Sequence, residues 1–267
     1  MAKARMLFLV TGCALLGAAC GGAFLEPPKP MAWGPLNDTG VTRCRAPDAG
    51  DTLCASAPGQ DAHAGRDALA AAGQLTKTGN GPGGFDFTKL GASGLPLGVQ
   101  NQPWAKNGTE AAGTIWHCVR DNHTGLVWEV KTNTASDLHY GQNTYSWYSS
   151  DMATNGLVMG SQNGGVCSQS ACDTQAFAQQ VNTEKLCGLS NWRLPSPVEL
   201  LSIVDQRRIN PPVDTAFFPN LSFNAYWTNQ TQAQYADAAW YVYFTAGDNG
   251  VIAKKGVANV LLVSSAP

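Results

Sequence analysis

The residues able to do chemistry in this sequence are spread in ways that argue against most reaction centres. His63, His117, His123 and His139 stand without a His-x-x-x-His or Cys-x-x-Cys frame, the spacings that hold zinc. No Gly-x-Ser-x-Gly turn is present to activate a serine. Asp48, Asp51, Asp61 and Asp67 crowd a glycine-containing stretch, but their intervals match no calcium loop, so they read as turn residues. No metal, cofactor or catalytic residue is expected. What remains is a set of aromatic rings and an amide near the C-terminus: Trp227, Asn229, Tyr241 and Tyr243. Ring faces stack on sugars and amides hydrogen-bond hydroxyls, so these four are the candidate ligand contacts, although each aromatic is also a natural core residue.

Cysteine usage sets the compartment. Lys3 and Arg5 precede the apolar runs 6–10 and 14–16 and the small residues Gly17, Ala18 and Ala19 before Cys20, the pattern of an export signal. The apolar stretch is about 14 residues, short of the ~20 that a membrane-spanning helix needs. Gly17-Ala-Ala-Cys20 resembles a bacterial lipoprotein signal, which makes Cys20 the expected lipidation site and a lipid anchor the expected membrane attachment. Cys13 in Val10-Thr-Gly-Cys13 is an alternative lipid site, and ordinary cleavage near Ala19 or Ala23 would release a periplasmic or secreted product. With Cys20 lipidated, Cys44, Cys54, Cys118, Cys167, Cys172 and Cys187 form an even set that oxidises outside the cytoplasm. Six cysteines allow fifteen connectivities; the expected one pairs Cys44 with Cys54, Cys118 with Cys187 and Cys167 with Cys172.

Charge excludes a further class of partner. The formal net charge is −2, and it falls to −4 when the signal takes away two cations and no acid, so nothing attracts nucleic acid. Only 13% of residues are charged, against 29 glycines and 8 tryptophans, a composition of loop-rich extracellular modules.

The elements that would position the aromatics follow from periodicity. Residues 1–19 read as the signal, 20–35 as a proline-bearing tether, 36–113 as a loop-rich extension and 114–267 as the main module. In the extension, Phe85-Asp-Phe-Thr-Lys-Leu90 alternates before the turn Gly91-Ala-Ser-Gly94 and Leu95-Pro-Leu97, a short hairpin packing on the module. The module opens with a hairpin about Thr124-Gly125, and a long glycine-rich loop covers 133–172. A helix follows over Thr174–Leu186, capped by Thr174. A second starts at Ser196, with Pro197 in its first turn, Glu199 completing a capping box, and Leu200, Ile203 and Val204 facing the core. Strands end the chain around Tyr226–Thr228, Ala239–Phe244 and Val257–Val263. Helices followed by strands indicate an α+β class. Alternation sets Trp240, Val242 and Phe244 against Tyr241 and Tyr243, with the tyrosines expected outside.

Trp116-His-Cys-Val-Arg-Asp-Asn-His-Thr-Gly-Leu-Val-Trp-Glu-Val-Lys131, Asn143-Thr-Tyr-Ser-Trp-Tyr148, Leu186-Cys-Gly-Leu-Ser-Asn-Trp-Arg-Leu-Pro-Ser196 and Ala239-Trp-Tyr-Val-Tyr-Phe244 together resemble the Lcl C-terminal domain family. That family is named for a Legionella collagen-like adhesin, and the resemblance runs from about Thr114 to Val263. Leu36-Asn-Asp-Thr-Gly-Val41 and residues 58–67 are similar to the extension preceding this domain in many envelope proteins. The resemblance implies a C-type-lectin-like fold, with two helices, a twisted antiparallel sheet and long loops. It also implies surface adhesion, with a glycan or surface protein as partner; an assembly role in a surface complex is the alternative.

The named member attaches to sulfated glycans, whereas this chain lacks a Gly-X-Y tract and offers a polyanion only Arg207-Arg208 and Lys254-Lys255. The Glu-Pro-Asn, Gln-Pro-Asp and Trp-Asn-Asp triplets of calcium-dependent lectins are absent. Trp192-Arg-Leu-Pro195 is similar to a segment of formylglycine-generating enzymes, but no cysteine follows Cys187 to supply their redox pair. Arg193 is therefore expected as a buried arginine paired with Glu199 or Asp205.

Overall fold

The structure is a computed structural model and describes residues 35–46, 50–52, 54 and 59–265. The expected signal, Cys20 and the tether up to residue 34 lie outside the described residues, as does Asp48. In chain order the elements are β1 (Cys44–Ala46), β2 (Gly50–Thr52), α1 (Gly65–Ala71), β3 (Phe87–Leu90), β4 (Cys118–Asp121), β5 (Leu126–Glu129) and β6 (Tyr145–Ser146). Then come α2 (Thr174–Glu184), α3 (Pro197–Leu201), β7 (Ala225–Thr231), β8 (Ala238–Tyr243), β9 (Asp248–Ala253), β10 (Val257–Ala258) and β11 (Val263–Ser265). The class is mixed α and β with antiparallel sheets; among the described residues the module carries the two expected α-helices, α2 and α3, while α1 lies in the extension, which was expected to be loop-rich.

β4 and β5 make the expected hairpin, with Gly125 supplying the positive φ of its turn and Val119 standing opposite Trp128. β3 and β11 flank them, giving the order β11-β5-β4-β3. The extension therefore contributes an edge strand to the module's sheet. Leu95–Leu97 folds back on β3 as expected, through the Gly91 N–H on the Leu95 carbonyl and the Leu97 N–H on the Lys89 carbonyl. A second sheet has the order β7-β8-β9, and β6 pairs with β10.

Both main sheets carry apolar side chains on both faces. Val119, Trp128 and Val263 join Phe85, Phe87, Tyr226, Val242, Phe244, Leu200 of α3 and, just beyond its end, Ile203 and Val204 in one core cluster. Cys118, Val127 and Leu262 join Trp147, Phe177, Val181, Trp227 and Ala239 in the other. Burying each such large side chain contributes roughly 1.5–3 kcal/mol, and the double-sided cover explains why these strands read as nearly continuous apolar runs.

α3 begins as predicted: the Ser196 hydroxyl accepts from the Glu199 N–H, the Glu199 carboxylate accepts from the Ser196 N–H, and Pro197 occupies the first turn. α2 differs in its cap. Asp173, not Thr174, accepts from the Ala176 N–H, while the Thr174 hydroxyl donates to the Tyr148 carbonyl and accepts from the Tyr148 N–H. α2 ends at Glu184, because Lys185 turns left-handed at φ +54° and Leu186–Gly188 continues as a separate 3-10 turn. Cys44–Cys54, Cys118–Cys187 and Cys167–Cys172 are disulfides, the expected connectivity. The second ties β4 to the turn after α2 across 69 residues, a closure worth about 4 kcal/mol in the chain-entropy account. Among the described residues, no helix is long and apolar enough to cross a membrane.

Candidate binding surface

Cross-strand register decides what the predicted aromatics do. Trp227 stands opposite Tyr241 and Ala225 opposite Tyr243, so these four share one face of the β7–β9 sheet. That face grows shallower along β8. Trp227 is fully buried with its indole N–H on the Tyr145 carbonyl at 2.7 Å, so it is a core residue and not a ligand contact. Tyr241 is half-buried, and Tyr243 is 38% exposed. On the opposite face Val242 and Phe244 are buried, but Trp240 is only half-buried, so the expected division into core and exposed sets holds at one end of β8 alone.

Gly250 of β9 lies directly across from Tyr241, and a Cβ there would come within 2.6 Å of the Tyr241 Oη. The missing side chain lets the phenol ring lie over β9 instead of standing away from it. The ring centroids of Tyr241 and Tyr243 are 6.5 Å apart at 82°, an edge-to-face pair. They wall a groove of about 460 Å3 whose other lining includes Asn224, Thr144, Ile252, Val257 and Asn259. Among the described residues, no charged side chain lines it. The Asn259 amide is spent on the Gly141 and Asn143 carbonyls and the Ser222 hydroxyl, whereas the exposed Asn224 side chain makes no hydrogen bond among the described residues. Sequence reasoning missed Asn224 and Gly250; both sit at register positions opposite or beside the tyrosines, which only strand pairing reveals.

Asn229 belongs to a different hollow, of about 290 Å3, with Gln175, Asn182 and Arg193 on its walls, and its backbone N–H is held by the Pro195 carbonyl. Arg193 forks onto the two Glu199 oxygens at 2.8 and 2.7 Å, the expected pairing, yet its side chain is 36% exposed and so not buried. Burial raises the Glu199 pKa, but the Arg193 and Ser196 donors outweigh it and hold the carboxyl below its ordinary value.

The basic pairs do not offer a polyanion a free patch. Arg207 and Arg208 both bind Asp205. Lys254 is buried over the Trp147 ring with its Nζ donating to the Asn155 and Val158 carbonyls, which leaves Lys255 as the exposed member of its pair.

Asp61 and Asp67 come together with Asp38, which the sequence did not single out, their ligand atoms within 4.8 Å of one another. Their donors are the protein's own: Gly40 and Gly84 N–H groups on Asp67 at 2.7 and 2.6 Å, Thr39 and Asp67 N–H groups on Asp38, and the Thr39 hydroxyl on Asp61. The cluster ties residues 38–40 to α1 and to Gly84, and Asp67, expected in a turn, is instead buried in the first turn of α1. His139 meets the buried Glu129 at 2.7 Å alongside Lys131 at 2.6 Å. Burial pushes the Glu129 carboxyl up, and the Lys131 charge overcomes that and keeps its pKa below the ordinary value.

Comparison with curated proteins and with solved structures finds no match. Residues 117–264, more than half of the chain, match the family model described as the Lcl C-terminal domain. They contain the β4–β5 hairpin, α2, α3 and every strand of the tyrosine-bearing sheet, and the chain belongs to the Lcl C-terminal domain family.

Proposed function

We propose that this chain is a non-catalytic binding module of the bacterial envelope that takes up an uncharged glycan in the Tyr241–Tyr243 groove. The observation that carries the reading is the pair of accessible phenol rings in an uncharged concavity beside the free Asn224 amide. Rings pack on the C–H faces of a sugar, while phenol hydroxyls and an amide exchange hydrogen bonds with its hydroxyls. The paired or buried state of Arg207, Arg208 and Lys254 favours a neutral glycan over a sulfated one. α2, α3, antiparallel strands and long loops support relating the fold to C-type lectins. In this reading the protein is exported, held by lipid on Cys20 or released after cleavage, and its three disulfides suit an oxidising compartment. The test is a glycan array with the purified protein and with its Tyr241→Ala and Tyr243→Ala variants. Capture of neutral glycans that falls about tenfold or more in both variants supports the reading; capture that ignores both substitutions counts against it.

A second reading, an assembly role in a surface complex, is favoured by one segment. Met152, Leu157, Val158, Met159 and Val166 are all exposed between positions 152 and 166. If this loop is an assembly surface, analytical ultracentrifugation shows self-association that Leu157→Ser with Val166→Thr abolishes, while glycan capture is unchanged.

A further inference from the structure

A second concavity, of about 760 Å3, lies away from the tyrosine groove and shares no lining residue with it. Its walls are Lys89 of β3, the 100–104 segment and the 215–220 segment. Lys89 is 2% exposed. Its Nζ lies 3.8 Å from the centroid of Trp116 and donates to the Gln102 carbonyl at 2.7 Å. An ammonium has three N–H donors, and this one has a single hydrogen-bond acceptor and no ion-pair partner among the described residues. Asp214, the carboxylate whose charge acts on it, is engaged by Arg208 and by the Ala216 N–H. Burial lowers the Lys89 pKa to about 8, so the group remains mainly cationic at neutral pH.

The side chain is also held in place. The Gln100 amide accepts from the Lys89 N–H at 2.7 Å and donates to the Lys89 and Leu97 carbonyls, clamping the strand where the lysine leaves it. Around the ammonium stand amides with spare capacity. The Asn80 side chain makes no hydrogen bond among the described residues, and Asn101 and Gln102 only touch one another, at 3.4 Å. Half-buried Trp104 and buried Phe217 supply apolar wall.

One buried cation with unused donors calls for one negative charge. Amides call for hydroxyls, and aromatic wall calls for a ring. We propose that this cavity is a second binding site, for a sugar acid: a hydroxylated ring carrying a single carboxylate, which the Lys89 ammonium receives. The proposal does not depend on the tyrosine groove.

The experiment is isothermal titration calorimetry of the purified protein with glucuronate, with glucose and with inorganic sulfate. Glucuronate is expected to bind at least ~10-fold more tightly than glucose, and sulfate is not expected to displace it. Lys89→Met, which keeps the stem over Trp116, and Trp104→Ala, which leaves Lys89 in place, should each weaken glucuronate binding at least ~10-fold. Tyr243→Ala should leave it unchanged. Equal affinity for glucose and glucuronate, no saturation by glucuronate above about 10 mM, displacement by sulfate, or full binding by Trp104→Ala overturns the proposal.

Discussion

β8 and β3 place chemistry in opposite directions, and the two concavities take their character from that difference. On β8, alternation sends Tyr241 and Tyr243 along a face that is sealed at Trp227 and open toward the strand's end, so neutral phenols reach a groove of about 460 Å3. On β3, Lys89 is two residues on from Phe87 and shares its inward face, so an ammonium is drawn to the wall of a larger concavity and rests on aromatic rings. A strand thus makes a mild site where a polar-tipped ring runs out of cover, and a charged one where a cation is forced under it.

The widest effect should separate depth from position on one face. Trp227→Ala removes a fully buried indole and its hydrogen bond, and is expected to cost about 3–5 kcal/mol in urea unfolding. Tyr243→Ala, on the same face, should cost less than about 0.5 kcal/mol while abolishing glycan capture. Similar losses of stability in both would erase the depth gradient.

The buried cations are the next test. Lys89 and Lys254 both have pKa values lowered by burial to about 8 from 10.5. Between those values the unfolded chain binds more protons than the folded one, so unfolding free energy should rise with pH across this window, on the order of 1–3 kcal/mol for each lysine. Lys89→Met and Lys254→Met should each flatten part of the rise; a profile identical in wild type and variants would contradict the burial account.

Smaller effects attach to the positioning residues. Glu199→Gln removes the charged half of the Arg193 fork and weakens the α3 capping box, for about 1 kcal/mol, since Arg193 is partly in solvent. The Glu199 contribution is present above its unfolded value of 4.5 and is lost as pH falls through its lower folded value, so the difference between variant and wild type should shrink in acid. Gly250→Ala should change stability by no more than about 1 kcal/mol, yet weaken glycan capture several-fold by lifting the Tyr241 ring off β9.

The parts of this molecule that were legible in the sequence are those written in local patterns. The capping box at Ser196, the Thr124-Gly125 hairpin, the short-range Cys44–Cys54 and Cys167–Cys172 pairs and the division of Val242 from Tyr243 at the end of β8 all depend on neighbours a few residues away. Trp227 was misplaced because a tryptophan serves core and ligand equally well in sequence, and only the cover provided by Tyr145 and Trp147, some eighty residues earlier, decides. Asn229 and the tyrosines parted because the strand carries them to different hollows. Lys89 had a visible signal: the alternation Phe85, Phe87, Lys89 already pointed it inward, as Val127 and Glu129 pointed a carboxylate inward on β5. Polar residues on an apolar phase are easily read as the strand's outer face, and here they are its buried charges.

The central claim, that the uncharged tyrosine groove is the binding surface, is tested most directly by NMR titration of the protein with a neutral oligosaccharide captured on the array. The account predicts shifts in the ring protons of Tyr241 and Tyr243 and in the Asn224 side-chain amide, with the indole N–H signals of Trp116 and Trp227 unmoved. Shifts that leave both tyrosines untouched while the oligosaccharide binds would contradict it.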